Sequence, residues 1–244
     1  MSIKLSIITV TLNSEPYIKQ AIHSVIAIKN SEMEYIIIDG GSTDRTVEII
    51  SNHHNHVDYF VSEKDDGIYD AINKGISVSS GKWIYVLGSD DIILPDFLDM
   101  FNSLTDINTI YYGNVLLQTT NKAFAGKFNT LKMVYCNIPH QAIFYPKILF
   151  DRYKYNMKYR LLADYALNLE VYGEKEFIFK YMPYLTARYN DESGISSKRI
   201  DDAFGRDKIA IIKRHFPIIY PLYYFLLKVK RRILISNINK ERYV

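Results

Sequence analysis

The 244-residue chain has one cysteine, Cys136, one tryptophan, Trp83, and no uncharged apolar run near the ~20 residues of a membrane-crossing helix. A single cysteine excludes an intramolecular disulfide and a cysteine-ligated metal cluster; buried apolar filler is its expected role. No G-x-G-x-x-G follows the first apolar stretch, where Leu12-Asn13-Ser14-Glu15-Pro16 stands instead. That argues against a dinucleotide-binding dehydrogenase. Gly75 to Gly81-Lys82 resembles a phosphate-binding P-loop, but the glycines are one residue too far apart. Trp83 also occupies the place of the magnesium-binding Ser or Thr, and a helix comes before it. The start, Met1-Ser-Ile-Lys-Leu-Ser, enters a strand at once with no signal-peptide pattern, so a cytoplasmic location is expected.

What is present is ordinary globular material, 48% hydrophobic and 23% charged, enough for one large domain. The net charge of +3 hides an asymmetry: from Lys208 onward there are nine Lys/Arg against one acid, Glu241, so the rest of the chain is net negative. A basic tail on an acidic body predicts an anionic partner for the tail. Membrane phosphate fits better than nucleic acid, because half of the tail is apolar and the clefts elsewhere are acidic.

Lys4–Thr11 is a nearly continuous apolar run, the pattern of a strand covered on both faces. A helix from Pro16 to about Ala27 puts Ile18, Ala21, Ile22 and Val25 on one face. Tyr35–Asp39 is a second buried strand, and Ser42 or Thr43 is placed to cap the helix after it. Val57–Ser62, a helix over Tyr69–Ser80 and a strand over Lys82–Leu87 follow. Strands alternating with helices at this spacing mean right-handed βαβ units and a mainly parallel sheet. Beyond Asp91 the pattern loosens. Thr109–Thr119, Ala123–Phe128, Phe177–Tyr181 and Tyr184–Tyr189 read as strands of a mixed sheet. Asp96–Leu104, Leu161–Val171 and Asp201–His215 read as helices, and Asn190–Ser197 as a loop. Residues 1–200 form the expected domain, split near 95, with 201–244 a helical, basic appendage.

Each early strand delivers polar groups at its carboxyl end: Thr9, Thr11 and Asn13; Asp39; Glu63, Asp65 and Asp66; Ser89, Asp90 and Asp91. In open α/β sheets ligands sit there. Two adjacent carboxylates after Trp83–Leu87 are costly to bury unless a cation or donor groups meet them.

Four pieces resemble family 2 inverting glycosyltransferases, enzymes of GT-A fold that transfer sugars from nucleotide-sugars. They are Ser6–Asn13 (SIITVTLN), Ile37–Asp44 (IIDGGSTD), Ser62–Gly75 (SEKDDGIYDAINKG) and Leu87–Asp91 (LGSDD). The third looks like the bacterial branch that builds capsule, O-antigen or exopolysaccharide. Pro139-His-Gln141, Ala163-Asp-Tyr165 and Gly194-Ile-Ser196 extend the likeness more loosely.

The resemblance implies a Rossmann-like GT-A sheet flanked by helices and a nucleotide-sugar donor, UDP-linked by analogy at Asp39, which would accept a base N–H. Thr9, Thr11 and Asn13 would line the base or ribose, and Asp66, Asn73 and Lys74 would reach the ribose and diphosphate. Asp91 would bind Mn²⁺ or Mg²⁺ directly, with Ser89 and Asp90 beside it on ribose or metal-bound water; Ser89 stands where a strict D-x-D has its outer aspartate. Asp164 would be the base, and His140 and Gln141 would face the acceptor. The only tryptophan is Trp83, so the Q-x-x-R-W motif of processive synthases is missing and single-sugar transfer is implied. A polyprenyl-diphosphate-linked acceptor would place the enzyme peripherally on the inner face of the plasma membrane, with Ile218–Leu227 and Lys228, Lys230, Arg231 and Arg232 against anionic lipid. The alternatives are a sugar nucleotidyltransferase, whose Gly-rich basic loop is missing at Leu12–Tyr17, and a non-catalytic binder of the same fold.

Overall fold

A computed structural model describes residues 3–192 and 201–229. Gly194-Ile-Ser196 and the basic residues 230–232 lie outside this set. The sheet has nine strands: β1 (Leu5–Thr11), β2 (Met33–Asp39), β3 (Tyr59–Ser62), β4 (Trp83–Gly88), β5 (Ile92–Ile93), β6 (Thr109–Leu117), β7 (Ala123–Phe124), β8 (Ile143–Pro146) and β9 (Ile178–Tyr189). Their spatial order is β3-β2-β1-β4-β8-β6-β9-β5, with β7 paired to β6. The first four run parallel. β8 is antiparallel to both β4 and β6, so the sheet is mixed in its second half.

Helices α1 (Ile18–Ile26), α2 (Thr46–Ser51), α3 (Ile68–Val78), α4 (Phe97–Ser103), α5 (Thr130–Tyr135), α6 (Ala163–Glu174) and α7 (Asp202–His215) flank it. Residues 220–229 form α8. Side chains of successive strand residues alternate between faces. Ile8, Val10, Ile36, Ile38, Ile84 and Val86 therefore pack on one side with α3, α5, α6 and α7. Ile7, Tyr35, Ile37, Tyr85 and Leu87 pack on the other with α1 and α4. This double burial is why the strands read as unbroken apolar runs. In α1 the buried residues are Ile18, Ala21, Ile22 and Val25, the face the spacing predicts.

After β1 the chain moves outward through β2 to β3, then returns to place β4 on the other side of β1. That reversal opens a crevice at the carboxyl ends of β1, β2 and β4. The register aligns Thr11 with Asp39 and Asp39 with Ser62, and Val10 with Gly88. Gly75 and Gly81-Lys82 lie away from this crevice, at positions set by packing. A Cβ on Gly75 would come within 2.6 Å of Ile8 Cγ2, because α3 lies directly on β1. Gly75→Ala is expected to destabilise the protein by about 1–3 kcal/mol through overpacking, read as a lower midpoint in urea at unchanged slope.

Three local expectations change. Ser42 and Thr43 do not cap α2; Asp44 Oδ1 accepts the Thr46 N–H instead. Phe177–Tyr181 and Tyr184–Tyr189 merge into the single strand β9, whose register against β6 slips around Asn114. Of the run Ala123–Phe128 only Ala123–Phe124 pairs as a strand. Helix α7 packs on the main core. Asp201 caps it through the Phe204 N–H and also accepts the Leu161 and Leu162 N–H groups just before α6, while Phe204 and Ile212 join the main core.

Candidate active site

The turn after β4 sends its two carboxylates to different fates. Asp91 is 1% exposed. Its Oδ2 accepts Gln141 Nε2 at 2.6 Å and its Oδ1 accepts the Asn190 N–H at 2.9 Å. Gln141 is itself fixed by Tyr85 and Thr186 hydroxyls donating to its carbonyl oxygen. Asp91, expected to bind metal directly, is here a buried brace that ties the end of β4 to the turn before β8 and to the loop after β9. Gln141, expected to face the acceptor, is part of the same brace and 2% exposed. Gly88 is required here, since a Cβ would lie 2.4 Å from Asp91 Oδ2. Asp90 is the carboxylate that remains partly open to the crevice. Burial raises its pKa above the usual range, against an opposing pull from His140 and an Asn190 hydrogen bond.

Asp91 is pushed up to about 7, first by burial and then by the charge of Asp90. The folded protein therefore keeps a proton that the unfolded chain, at the ordinary value of 3.8, gives up. The resulting stabilisation is complete below about pH 4 and is lost as the pH rises through about 7. In EDTA-treated protein, the melting temperature of wild type relative to Asp91→Asn is expected to fall between about pH 5 and about pH 8. A difference that stays flat over that range would contradict the assignment.

Asp164 opens α6 and is 6% exposed. Its Oδ1 accepts the Tyr69 hydroxyl and the Tyr165 N–H, both at 2.8 Å. Its Oδ2 accepts Asn137 Nδ2 at 2.8 Å. His140 Nδ1 stands 4.0 Å from the same oxygen. Burial holds the His140 pKa below its usual value, although Asp164 and then Asp90 pull it up. A neutral imidazole thus stands in the field of both carboxylates. Tyr69 and Asn137 were not anticipated as site residues. Asn137 belongs to the stretch Asn137-Ile-Pro-His140-Gln141, whose polar ends bracket an apolar pair, and that was the available signal.

The expected nucleotide contacts divide. Thr11 is 95% removed from solvent and its hydroxyl has no hydrogen-bond partner; among the described residues only Trp83 Nε1 shares that state. A buried unpaired hydroxyl costs about 1–3 kcal/mol, and this one lies at the crevice. Ser89 Oγ meets Ser14 Oγ at 2.8 Å beside it. Thr9 is fully buried and accepts the Tyr35 hydroxyl at 3.1 Å, so it belongs to the core and not to the crevice wall. Asp39 is also fully buried. Its Oδ2 accepts the Gly41 and Ser42 N–H groups and the Ser62 hydroxyl, and its Oδ1 accepts the Ser42 hydroxyl. In this conformation it shapes the β2–α2 loop and presents no surface to a base. Asn13, at φ 50°, clips that loop to the first one through Ser42 and Thr43.

Asp66, Asn73 and Lys74 all have partners within the protein. Asp66 is exposed, its carbonyl taken by Arg160 and its N–H by Asp70. Asn73 spends both ends of its amide on the Tyr155 backbone. Lys74 pairs with Glu63 at 2.9 Å and Asp70 at 3.2 Å. The Asp65 carboxylate lies against Gly40 and accepts the Gly67 N–H.

A hard divalent cation fits this donor set. Asp90 is half-buried, and among the described residues no Lys or Arg forms an ion pair with either Asp90 or Asp91. Such ions commonly take one or two carboxylates and complete their shell with water and substrate phosphate.

Residues 6–160 match the family model described as Glycosyl transferase family 2. The "PGL/p-HBAD biosynthesis glycosyltransferase" of Mycobacterium tuberculosis is 32% identical over 208 residues, covering 82% of this chain and 81% of its own. That of Mycobacterium bovis matches equally. Among solved structures, S. aureus TarS gives a TM-score of 0.68 at 16% identity, over 88% of this chain and 40% of the TarS chain. A TarS fragment, 1-349, solved in complex with UDP, gives 0.69 at 17% identity and is covered to 67%. The same fragment was also solved with UDP-GlcNAc.

Proposed function

The chain belongs to glycosyl transferase family 2 and has its GT-A fold, and on that premise we propose that it transfers one sugar, with inversion, from a UDP-sugar to a hydroxyl of a sugar acceptor. The acceptor is carried on a polyprenyl-diphosphate lipid at the inner face of the plasma membrane, in cell-surface polysaccharide synthesis. The observation that carries the reading is the grouping of a half-buried carboxylate, Asp90, and a held carboxylate, Asp164, around His140, whose Nδ1 stands 4.0 Å from Asp164 Oδ2 and which feels the charge of both. The structures of the TarS fragment with UDP and with UDP-GlcNAc support a uridine nucleotide as the carrier of the donor sugar.

In this reading Asp90 would hold Mn²⁺ or Mg²⁺, while Asp91 stays engaged by Gln141 and Asn190. The ion, when bound, stabilises negative charge on the departing diphosphate. The acceptor oxygen bonds to the anomeric carbon as that carbon's bond to the diphosphate oxygen breaks on the opposite face. Asp164 takes the hydroxyl proton. Tyr69 and Asn137 fix the carboxylate, so its orientation needs no rearrangement when the acceptor arrives. Incubation with a panel of UDP-sugars, Mn²⁺ and a bacterial lipid acceptor fraction tests the reading. The product linkage should have the anomeric configuration opposite to that of the donor by NMR; retained configuration would overturn the mechanism.

A further inference from the structure

The segment from Phe216 through α8 is apolar apart from Lys228, a pattern that belongs to a buried helix. Only one side is covered. Phe216, Tyr223 and Leu227 pack on the main core, and Tyr223 meets the Tyr135 ring of α5 at 5.3 Å between centroids. On the outer side Ile218 is 93% exposed and Phe225 62%, with Leu222 and Val229 also open. The ring contact brings α5 beside this surface, and α5 adds exposed Leu131 and Tyr135. Two elements far apart in sequence thus present exposed apolar side chains next to one another.

Its rim is cationic. Lys228 lies 4.6 Å from the Tyr224 ring and Lys213 5.9 Å from the Tyr220 ring. The sequence from Lys208 to Lys240 contains no Asp or Glu. Exposed apolar side chains bordered by Lys213 and Lys228 complement an anionic phospholipid surface. A second copy of the chain would instead bring two cationic rims together across a two-fold axis.

We infer that the α5–α8 face docks on an anionic bilayer and so turns the acceptor side of the crevice toward the membrane. The link to the site is short. The chain leaves Tyr135 and within two residues reaches Asn137, which holds Asp164, and then His140. Docking the outer face of α8 therefore also places the segment that carries the acceptor-side residues close to the lipid. The inference deepens the lipid-linked acceptor reading, but its test needs neither donor nor acceptor, so either can fail alone.

The test is sedimentation of the full chain with vesicles of phosphatidylcholine, alone or mixed with phosphatidylglycerol. Wild type is expected to bind the mixed vesicles and not the neutral ones. Leu222→Glu/Phe225→Glu should weaken that binding about tenfold or more at unchanged melting temperature. Phe225→Ser, at a side chain already largely in solvent, is the second variant should the double one melt early, and should weaken binding in the same direction. No binding to the mixed vesicles, or equal binding by wild type and variants, would overturn the inference. So would a wild-type dimer in light scattering that the variants convert to monomer, which would assign the face to a second copy.

Discussion

Asp164→Asn is expected to lower turnover by about 10³-fold, within the range that loss of a general base costs, while UDP-sugar binding stays within about twofold of wild type. Asparagine keeps the volume of the side chain but offers one acceptor oxygen where Asp164 has two. Tyr69 and the Tyr165 N–H occupy Oδ1, and Asn137 donates to Oδ2. The new amide would set its own N–H groups against Asn137 Nδ2, whose partner oxygen already accepts Asn168. What is lost is proton acceptance together with some local order. Donor affinity separates the two effects, because the Thr11, Ser89 and Asp90 end of the crevice makes no hydrogen bond to Asp164. A variant that kept more than about a tenth of wild-type turnover would remove Asp164 from the base role.

The second large effect is a split between neighbours. Asp90→Ala is expected to melt no lower than wild type, since it removes a charge that burial and Asp91 disfavour, and to lose Mn²⁺ affinity by more than about 100-fold, beyond what loss of a ligand's supporting partner costs. Asp91→Ala is expected to lose about 2–4 kcal/mol of stability at about pH 6, because it strands the buried donors Gln141 Nε2 and Asn190 N. Electron paramagnetic resonance of free Mn²⁺ in the presence of UDP, beside thermal melts, reads both. The reverse pattern, a stable Asp91→Ala that no longer holds Mn²⁺, would return the metal to Asp91.

The sequence was informative where burial on both faces left a mark. β1, β2 and β4 are apolar runs because helices cover both sides, and their order alone predicts a crevice at their carboxyl ends. Asp164 was legible as the acid opening a helix of the second half. Which of two adjacent aspartates faces the crevice was not, because the choice is made by Gln141, 50 residues on, and Asn190, 99 residues on. Asn73 has the same history: its amide is claimed by Tyr155, 82 residues away. Thr9 and Thr11 look alike in a strand of period two, yet Tyr35 takes one and leaves the other unpaired. Contacts between distant segments decide these roles, and local pattern carries no trace of them.

The most direct test is calorimetric titration of the full chain with UDP, GDP and dTDP, each with and without Mn²⁺. The account predicts that UDP binds, that Mn²⁺ strengthens it, and that GDP and dTDP bind more weakly. If no nucleotide binds with or without the metal, the crevice at the ends of β1, β2 and β4 is not a donor site, and the account is contradicted at its centre.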